Sequence, residues 1–179
     1  QQTNFLPREK RGRYPKEGDI FYYRHKYLGY GYGRVLKISD NHPANVVIPW
    51  SGALVYLYDS FSKELEISPK LDKTKLALPP LCTFFYEFSS GPFVKMKNVK
   101  LEKDDLLEVN CYYEVLRKDK QYFDFFTGKE IEKVEPCGNN GTMTTLFIDA
   151  LISEAKGVPI AVNNLTEDRI KNGTKFKNW

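Results

Sequence analysis

Few residues in this sequence of 179 could perform acid–base or nucleophilic chemistry. The two histidines are His25 and His42, and Cys111 with His42 would supply a nucleophile and a base, but no spacing brings them together. His25 lies among charged residues near the end of a predicted hairpin, which favours a surface histidine over a general base. The motifs G-x-S-x-G and H-E-x-x-H and a glycine-rich loop ending in Lys-Ser or Lys-Thr do not occur. An enzyme is therefore the weaker hypothesis, and we assign no catalytic residue.

Paired carboxylates are the other groups that could do acid–base work. Asp104 with Asp105, and Glu130 with Glu132, lie in strongly polar stretches of the sequence. Such stretches are typical of a solvated surface rather than of an acid–base pair. We therefore interpret these four carboxylates as surface groups.

Charge is distributed unevenly along the chain. Residues 1–40 carry nine basic and four acidic side chains, whereas residues 101–135 carry ten acidic and six basic ones. The basic N-terminal arm, residues 1–13, could steer the protein towards phosphate or an acidic partner, or could simply be solvated. The acidic stretch would suit a basic partner.

The three cysteines, Cys82, Cys111 and Cys137, form no C-x-x-C pair, and only two histidines could add ligands. A structural zinc site is therefore not expected, and we predict neither a metal nor another cofactor. An odd cysteine count fits buried thiols in a reducing compartment. One disulfide plus one free thiol remains the alternative.

A mostly β framework must position these residues. The 12 Tyr, 12 Phe and 2 Trp fit a pleated surface better than a helix. The predicted fold is α+β and mostly β, either a strongly coiled antiparallel sheet or a small SH3-like barrel, with a C-terminal helix packed on it. Single strands are predicted at 19–24, 30–38 and 53–58, a turn at 41–44, and hairpins at 83–88 with 93–97 and at 112–117 with 122–126.

Two glycines stand out in the predicted strand 30–38. Gly31 and Gly33 lie on one face of it and leave that face bare. A bare strip lets a large side chain or another backbone pack closely, or permits the sharp coiling that a small barrel needs. A phosphate-cradling loop is disfavoured because no helical pattern follows Gly33.

The pattern becomes helical after Pro136. Thr142 is a plausible N-cap and Gly157 a plausible C′ residue. The apolar residues between them recur at spacings of three and four: Met143, Leu146, Phe147, Ala150, Leu151 and Ala155. We predict that this helix packs on the chain's own sheet, with a second short helix at 166–172. Residues 14–135 thus form a β-rich domain, and residues 136–179 a helix and basic tail packed on it.

Four short motifs follow one another in the first half of the chain. They are GDIF at 18–21, GYGYGRVL at 29–36, LYD at 57–59 and LPP at 78–80. In their order they resemble the immunity protein 26 family of bacterial polymorphic toxin systems, over residues 14–134. The stretch FVKM at 93–96 stands where that family has a strand that begins with tryptophan, so one hallmark is altered.

The resemblance implies a protein that binds a cognate toxin and neutralises it by occluding its active site or an essential surface. Such a protein needs a rigid platform that carries buried anchors inside a polar rim. Hairpin tyrosines and acidic side chains are the predicted partner-binding residues, with burial in the core expected for at least half of the tyrosines. They are Tyr22, Tyr23, Tyr27, Tyr30, Tyr32, Asp104, Asp105, Glu108, Glu130 and Glu132.

A small β-barrel that binds nucleic acid is the alternative function. The basic arm would contact phosphates and the hairpin tyrosines would stack on bases, although nucleic acid is the less expected partner. No stretch approaches the roughly 18 to 20 apolar residues that cross a bilayer, so no membrane association is expected. We expect a cytoplasmic protein, with the periplasm left open because a signal peptide could have preceded Gln1.

Overall fold

The computed structural model describes residues 2–39, 52–114, 119 and 121–176. Within these ranges the chain is α+β and mostly β, which confirms the predicted fold class. The elements in chain order are β1 (Asp19–His25), β2 (Gly29–Ile38), β3 (Gly52–Ser62), β4 (Leu81–Phe84), α1 (Tyr86–Ser89), β5 (Val94–Asn98), a 3-10 turn (Lys103–Asp105), β6 (Cys111–Tyr113), β7 (Tyr122–Asp124), β8 (Glu130–Ile131), β9 (Gly138–Asn139), β10 (Thr142–Met143), α2 (Thr145–Lys156) and α3 (Glu167–Lys171).

The strands form two sheets. The larger one has the order β10-β4-β3-β2-β1-β5, and the smaller one the order β8-β7-β6-β9. Each sheet is antiparallel except for one parallel pair, β10 with β4 and β6 with β9. Because β10 and β5 lie at opposite edges of the larger sheet, the described strands do not close into a barrel. The two parallel strands both come from the segment that returns after Pro136.

Both faces of the larger sheet are covered. On one face the rings of Phe21 and Tyr23 pack with α2 through Ile148 and Ile152. On the other face Tyr56 of β3 packs with residues of the smaller sheet. Because β3 is central and covered on both faces, all of its residues from 52 to 58 are buried. This double coverage explains why its sequence is a continuous apolar run rather than an alternating one.

Gly31 and Gly33 make room for rings on the neighbouring strand. Tyr23 lies opposite Gly31 and Phe21 opposite Gly33 in the β1–β2 pair. A Cβ on Gly33 would stand 2.3 Å from Cζ of Phe21, so no larger side chain fits there without a shift. Of the two roles predicted for the bare strip, close packing of a large side chain is the one observed.

The predicted hairpin of 83–88 with 93–97 is wrong. Strand β4 pairs with β3 and β10, whereas β5 pairs with β1 at the other side of the sheet. The intervening residues form α1, and Glu87 of α1 accepts a hydrogen bond from the backbone N–H of Thr145 at 2.9 Å. This buried carboxylate thus caps the start of α2, which local sequence patterns do not reveal.

The second predicted hairpin is confirmed for β6 and β7, which pair antiparallel. Residues 115–118 of that hairpin and the predicted turn at 41–44 lie outside the described residues.

The predicted C-terminal helix is confirmed as α2. It ends at Gly157, whose φ is 65°, as the predicted C′ glycine requires. It begins after Thr144 rather than after Thr142, because residues 142–143 pair with β4 as β10. The short helix predicted at 166–172 is also confirmed, as α3.

The N-terminal arm packs against the domain. Phe5 is buried and forms a β-bridge with His25. The guanidinium of Arg8 donates to the carbonyl oxygens of Phe88, at 3.0 Å, and Ser89. The basic arm is therefore attached along part of its length rather than merely solvated.

Candidate functional site

The most concentrated group of chemically capable side chains lies between β1 and α2. Nε2 of His25 is 3.1 Å from Oδ1 of Asp149 and 3.3 Å from Oγ of Ser153. The hydroxyl of Ser153 donates to the same Asp149 oxygen at 3.1 Å. All three residues are buried, so the prediction of a surface histidine is wrong. The ring of His25 is covered by Phe5 and α2, neither of which is close to it in sequence.

The geometry of this cluster differs from that of a nucleophilic triad. A triad histidine holds the carboxylate through one ring nitrogen and the serine through the other. Here Asp149 and Ser153 share Nε2, whereas Nδ1 accepts the backbone N–H of Tyr27 at 3.3 Å. With Nδ1 as an acceptor, Nε2 carries the proton and donates it. The cluster is therefore a buried hydrogen-bonded contact between β1 and α2. We call His25, Asp149 and Ser153 the polar clasp.

The clasp also fixes the N-terminal arm. The backbone N–H of Asn4 donates to Oδ2 of Asp149 at 2.6 Å, and the hydroxyl of Thr3 donates to the same oxygen at 2.9 Å. Burial raises the pKa of Asp149, but the hydrogen bonds from His25, Asn4 and Thr3 outweigh burial and lower it below the ordinary aspartate value. The carboxylate is thus held ionised at the junction of arm, sheet and helix.

Two of the three cysteines form a disulfide, and the third is buried. Cys111 and Cys137, on the neighbouring segments of β6 and β9, form a disulfide with a Cα–Cα distance of 4.6 Å. Cys82 is a free thiol inside the core, and burial raises its pKa to about 12. A thiol protonated in this way is a poor nucleophile. Of the two alternatives left by the sequence, the disulfide with one free thiol is the one observed.

The predicted tyrosines divide between core and surface. Tyr22, Tyr23 and Tyr32 are buried, in agreement with the expectation for at least half of the five. Tyr32 is held by its hydroxyl, which bonds to Oγ of Ser62 at 2.8 Å. Tyr30 is half-buried, and Tyr27 is 45% exposed at the turn between β1 and β2.

The predicted acidic residues lie around the smaller sheet and the 3-10 turn. Asp104, Glu108, Glu130 and Glu132 are exposed there. Asp105 differs, because its carboxylate is 2.7 Å from Nη1 of the buried Arg34.

Arg34 of the GYGYGRVL motif joins β2 to the 3-10 turn through Asp105. We call this 3-10 turn, Lys103–Asp105, the acidic turn. Its Nη2 donates to the carbonyl oxygens of Val99 and Lys100, both at 3.2 Å. Burial raises the pKa of Asp105, but a backbone N–H from Glu102 and the Arg34 guanidinium outweigh it and lower the pKa. Asp105 therefore has a partner within the fold, which distinguishes it from its neighbour Asp104.

A cavity of about 510 Å³ lies beside the start of β4, β9 and α2. Its walls are mostly apolar and include Pro80, Met143 and Leu151. Cys137 also lines the cavity, but its sulfur is bonded to that of Cys111 in the disulfide. The cavity could hold an apolar group, and Lys175 and Glu154 place two charged side chains at its wall.

An exposed aromatic and basic surface, which the sequence did not predict, lies where the arm meets α1. Tyr14 is 71% exposed and Tyr86 is 47% exposed. We call this surface the arm face and define it by Arg11, Arg13, Tyr14, Phe84 and Tyr86. No signal in the sequence joins its two parts, since they are some 70 residues apart.

Comparisons with known proteins and with general site patterns add few constraints. None of the helices in the described ranges has the length and apolar character of a membrane-spanning segment. Among the described residues no group of three or more histidine, cysteine or acidic side chains is arranged to hold a metal ion. No family model, curated protein or solved structure matches the chain. Its function must therefore be inferred from its own residues and their geometry.

Proposed function

We propose that this chain is an immunity protein, which binds a cognate bacterial toxin and neutralises it by covering the active site or an essential surface. The order of its four motifs supports this proposal, as do the positions of their residues. Gly18, with φ of 82°, turns the chain into β1, and Arg34 anchors the acidic turn to β2. Gly31 and Gly33 admit the rings that pack β1 on β2. The motifs thus build a platform rather than a reaction centre.

The observation that carries the proposal is that, among the described residues, the histidine and the cysteines are bonded or buried inside the fold. His25, Asp149 and Ser153 bond to one another beneath the surface, and the described cysteines are buried or paired. A protein that acts by covering a partner requires no reactive group. It requires a rigid surface with aromatic or arginine anchors.

The charged surface offers two regions to a partner. One contains the exposed acidic residues Asp104, Glu108, Glu130 and Glu132, and the predicted contacts Tyr27 and Tyr30 lie apart from it in the chain, at the β1–β2 turn and the start of β2. These acids would suit a toxin with a basic cleft, such as a nuclease, because opposite charges speed association. The other region is the arm face.

The disulfide supports the periplasmic alternative over the cytoplasmic one. Disulfides form and persist in oxidising compartments and are rare in the cytosol. Quenching intact cells with acid, alkylating the denatured protein and measuring its mass tests this placement, because denaturation exposes the buried thiols. One modified cysteine indicates an oxidising compartment, whereas three modified cysteines indicate the cytosol.

Nucleic-acid binding is the second candidate, because exposed basic and aromatic side chains lie together on the arm face. It predicts retention on single-stranded DNA or RNA at about 50 mM salt, with binding that weakens steeply as salt rises. No retention at that salt concentration rejects it.

Co-expression tests the main proposal. The chain is produced in cells together with the toxin encoded by the adjoining gene, and growth is compared with cells that receive the toxin alone. We expect rescue of growth and a stable complex on gel filtration. The absence of both rejects the proposal.

A further inference from the structure

We infer that the arm face is the surface on which the toxin docks, and that the toxin presents an acidic patch to it. This inference rests on the proposed function and selects one of the two candidate surfaces. Three features carry it: a fixed backbone, exposed aromatic rings and positive charge that the fold itself does not neutralise.

The backbone of the arm is fixed where the basic residues begin. Arg8 bonds to the carbonyl oxygens of Phe88 and Ser89 at the end of α1. Gly12 lies directly against the same carbonyls, since a Cβ on it would stand 2.0 Å from the oxygen of Phe88. Residues 11, 13 and 14 therefore project from a segment that is already ordered. A preordered segment loses little conformational entropy when a partner binds.

Two tyrosines supply exposed anchors on the arm face. The ring of Tyr14 meets that of Phe85 edge-on, with centroids 6.1 Å apart. The ring of Tyr86 is stacked on Phe84, with centroids 5.6 Å apart. Phe84, Phe85 and Tyr86 are consecutive, so Tyr14 packs on the same short segment that carries Tyr86. Tyrosine supplies a large contact area with few rotatable bonds and is enriched among the residues that dominate binding energy.

The charge of the arm face is positive and lacks an internal counterion. Arg11 and Arg13 are exposed and form no ion pair with a described residue. The nearest acid in the arm, Glu9, is instead paired with Arg24 at 2.6 Å. Arginine with tyrosine is the typical composition of an interface anchor, and the positive charge selects an acidic patch on the partner.

A protein partner fits this surface better than a nucleic acid. One face of the Tyr86 ring is already covered by Phe84, which leaves only its other face for a stacked base.

Binding of the purified, catalytically inactive toxin from the adjoining gene tests the inference. The variants are Arg11→Glu with Arg13→Glu, and Tyr14→Ala alone, each checked for an unchanged melting temperature. We expect each to weaken binding by about 30-fold or more, with the Tyr14 variant acting mainly on the dissociation rate. The matched controls, Lys63→Glu with Lys70→Glu and the 85% exposed Ile67→Ala, should leave binding unchanged.

Each outcome bears on a different claim. If the wild-type protein binds and the arm variants bind equally well, the arm face is not the docking surface, although the proposed function stands. Equal weakening by the lysine control would indicate long-range attraction and overturn the inference. Loss of binding only in Asp104→Lys with Glu130→Lys would place the interface on the acidic region. If the wild-type protein binds single-stranded oligonucleotide but not the toxin, both the inference and the proposed function are rejected.

Discussion

Tyr23 and Gly31 face each other across the β1–β2 pair, and the tyrosine ring occupies the space that a side chain on residue 31 would need. A Cβ on Gly31 would stand 2.4 Å from Cζ and 2.6 Å from the hydroxyl oxygen of Tyr23. The glycine is therefore required by the ring opposite it.

Replacing Gly31 by alanine should destabilise the protein, because the buried ring of Tyr23 has to move. We expect Gly31→Ala to lower the free energy of unfolding by about 1 to 3 kcal/mol in urea denaturation. The cost of Gly31→Ala should be smaller in a Tyr23→Leu background, since the shorter side chain no longer meets the new methyl group. Additive effects of the two changes, or an unchanged Gly31→Ala midpoint, would contradict the packing described here.

Loss of the hydroxyl should change the stability of the protein differently at two buried tyrosines on neighbouring strands. The hydroxyl of Tyr23 has no hydrogen-bond partner among the described residues, whereas that of Tyr32 bonds to Ser62 and accepts the backbone N–H of Glu66. Tyr32→Phe should cost about 1 to 2 kcal/mol, and Tyr23→Phe should be neutral or stabilising. Melting curves of the two variants measure this difference in stability. Equal losses of stability would show that the hydroxyl of Tyr23 has a hydrogen-bond partner.

The carboxylate of Asp149 should make stability depend on pH. Its pKa is lower in the folded chain than the ordinary value of 3.8, so the unfolded chain takes up the proton first as the pH falls. The stabilisation is complete above that ordinary value and is lost as the pH falls through the folded pKa. Asp149→Asn should cost about 2 to 4 kcal/mol at neutral pH, and the difference from wild type should narrow in acid.

Urea denaturation of both proteins from about pH 6 to about pH 2 measures this difference. The exposed Asp168→Asn serves as the control and should follow the wild-type curve. A constant gap between wild type and Asp149→Asn at every pH would show that the carboxylate charge has no role.

Asp105 and Asp104 form a matched pair for the Arg34 contact. Asp105→Asn removes the charge that faces the buried guanidinium, whereas Asp104 is exposed. Because Asp105 is itself partly exposed, we expect a cost of about 1 to 2 kcal/mol for Asp105→Asn and almost none for Asp104→Asn. Thermal unfolding distinguishes the two, and equal losses would mean that the ion pair contributes nothing specific.

Removal of the disulfide should destabilise the protein through the unfolded state. The bond between Cys111 and Cys137 spans 26 residues, for which the chain-entropy model gives about 3 to 4 kcal/mol. Cys111→Ser with Cys137→Ser should show this loss in urea, and a reducing agent should affect the wild type but not the variant. Three titratable thiols in the unreduced, denatured wild type would contradict the bond.

The early strands and the C-terminal helix could be predicted because their signals are local. A run of apolar and aromatic residues marks β1, alternating glycine and tyrosine mark the start of β2, and periodicity together with a terminal glycine marks α2. The hairpin predicted over 83–97 failed because the end of its first predicted strand forms α1, whose Glu87 bonds to the distant start of α2. Contacts between residues so far apart in the sequence cannot be predicted from local patterns.

Burial of the candidate site residues depended on contacts that are remote in sequence. The charged neighbours of His25 predict a surface residue. It is buried because its partner Asp149, which lies 124 positions away, packs against it after folding. The arm face was missed for the same reason, since Tyr14 and Phe85 meet only after folding. The sequence did indicate that some hairpin tyrosines would be buried, but not which ones.

The covalent link between Cys111 and Cys137 turns the stretch between them into a ring that includes β7 and β8. A protease that cuts once inside this ring would leave both pieces attached, so the cleaved molecule would migrate as a single species until a reductant separates it. A cut near β7 or β8 would therefore not release either strand from the rest of the molecule.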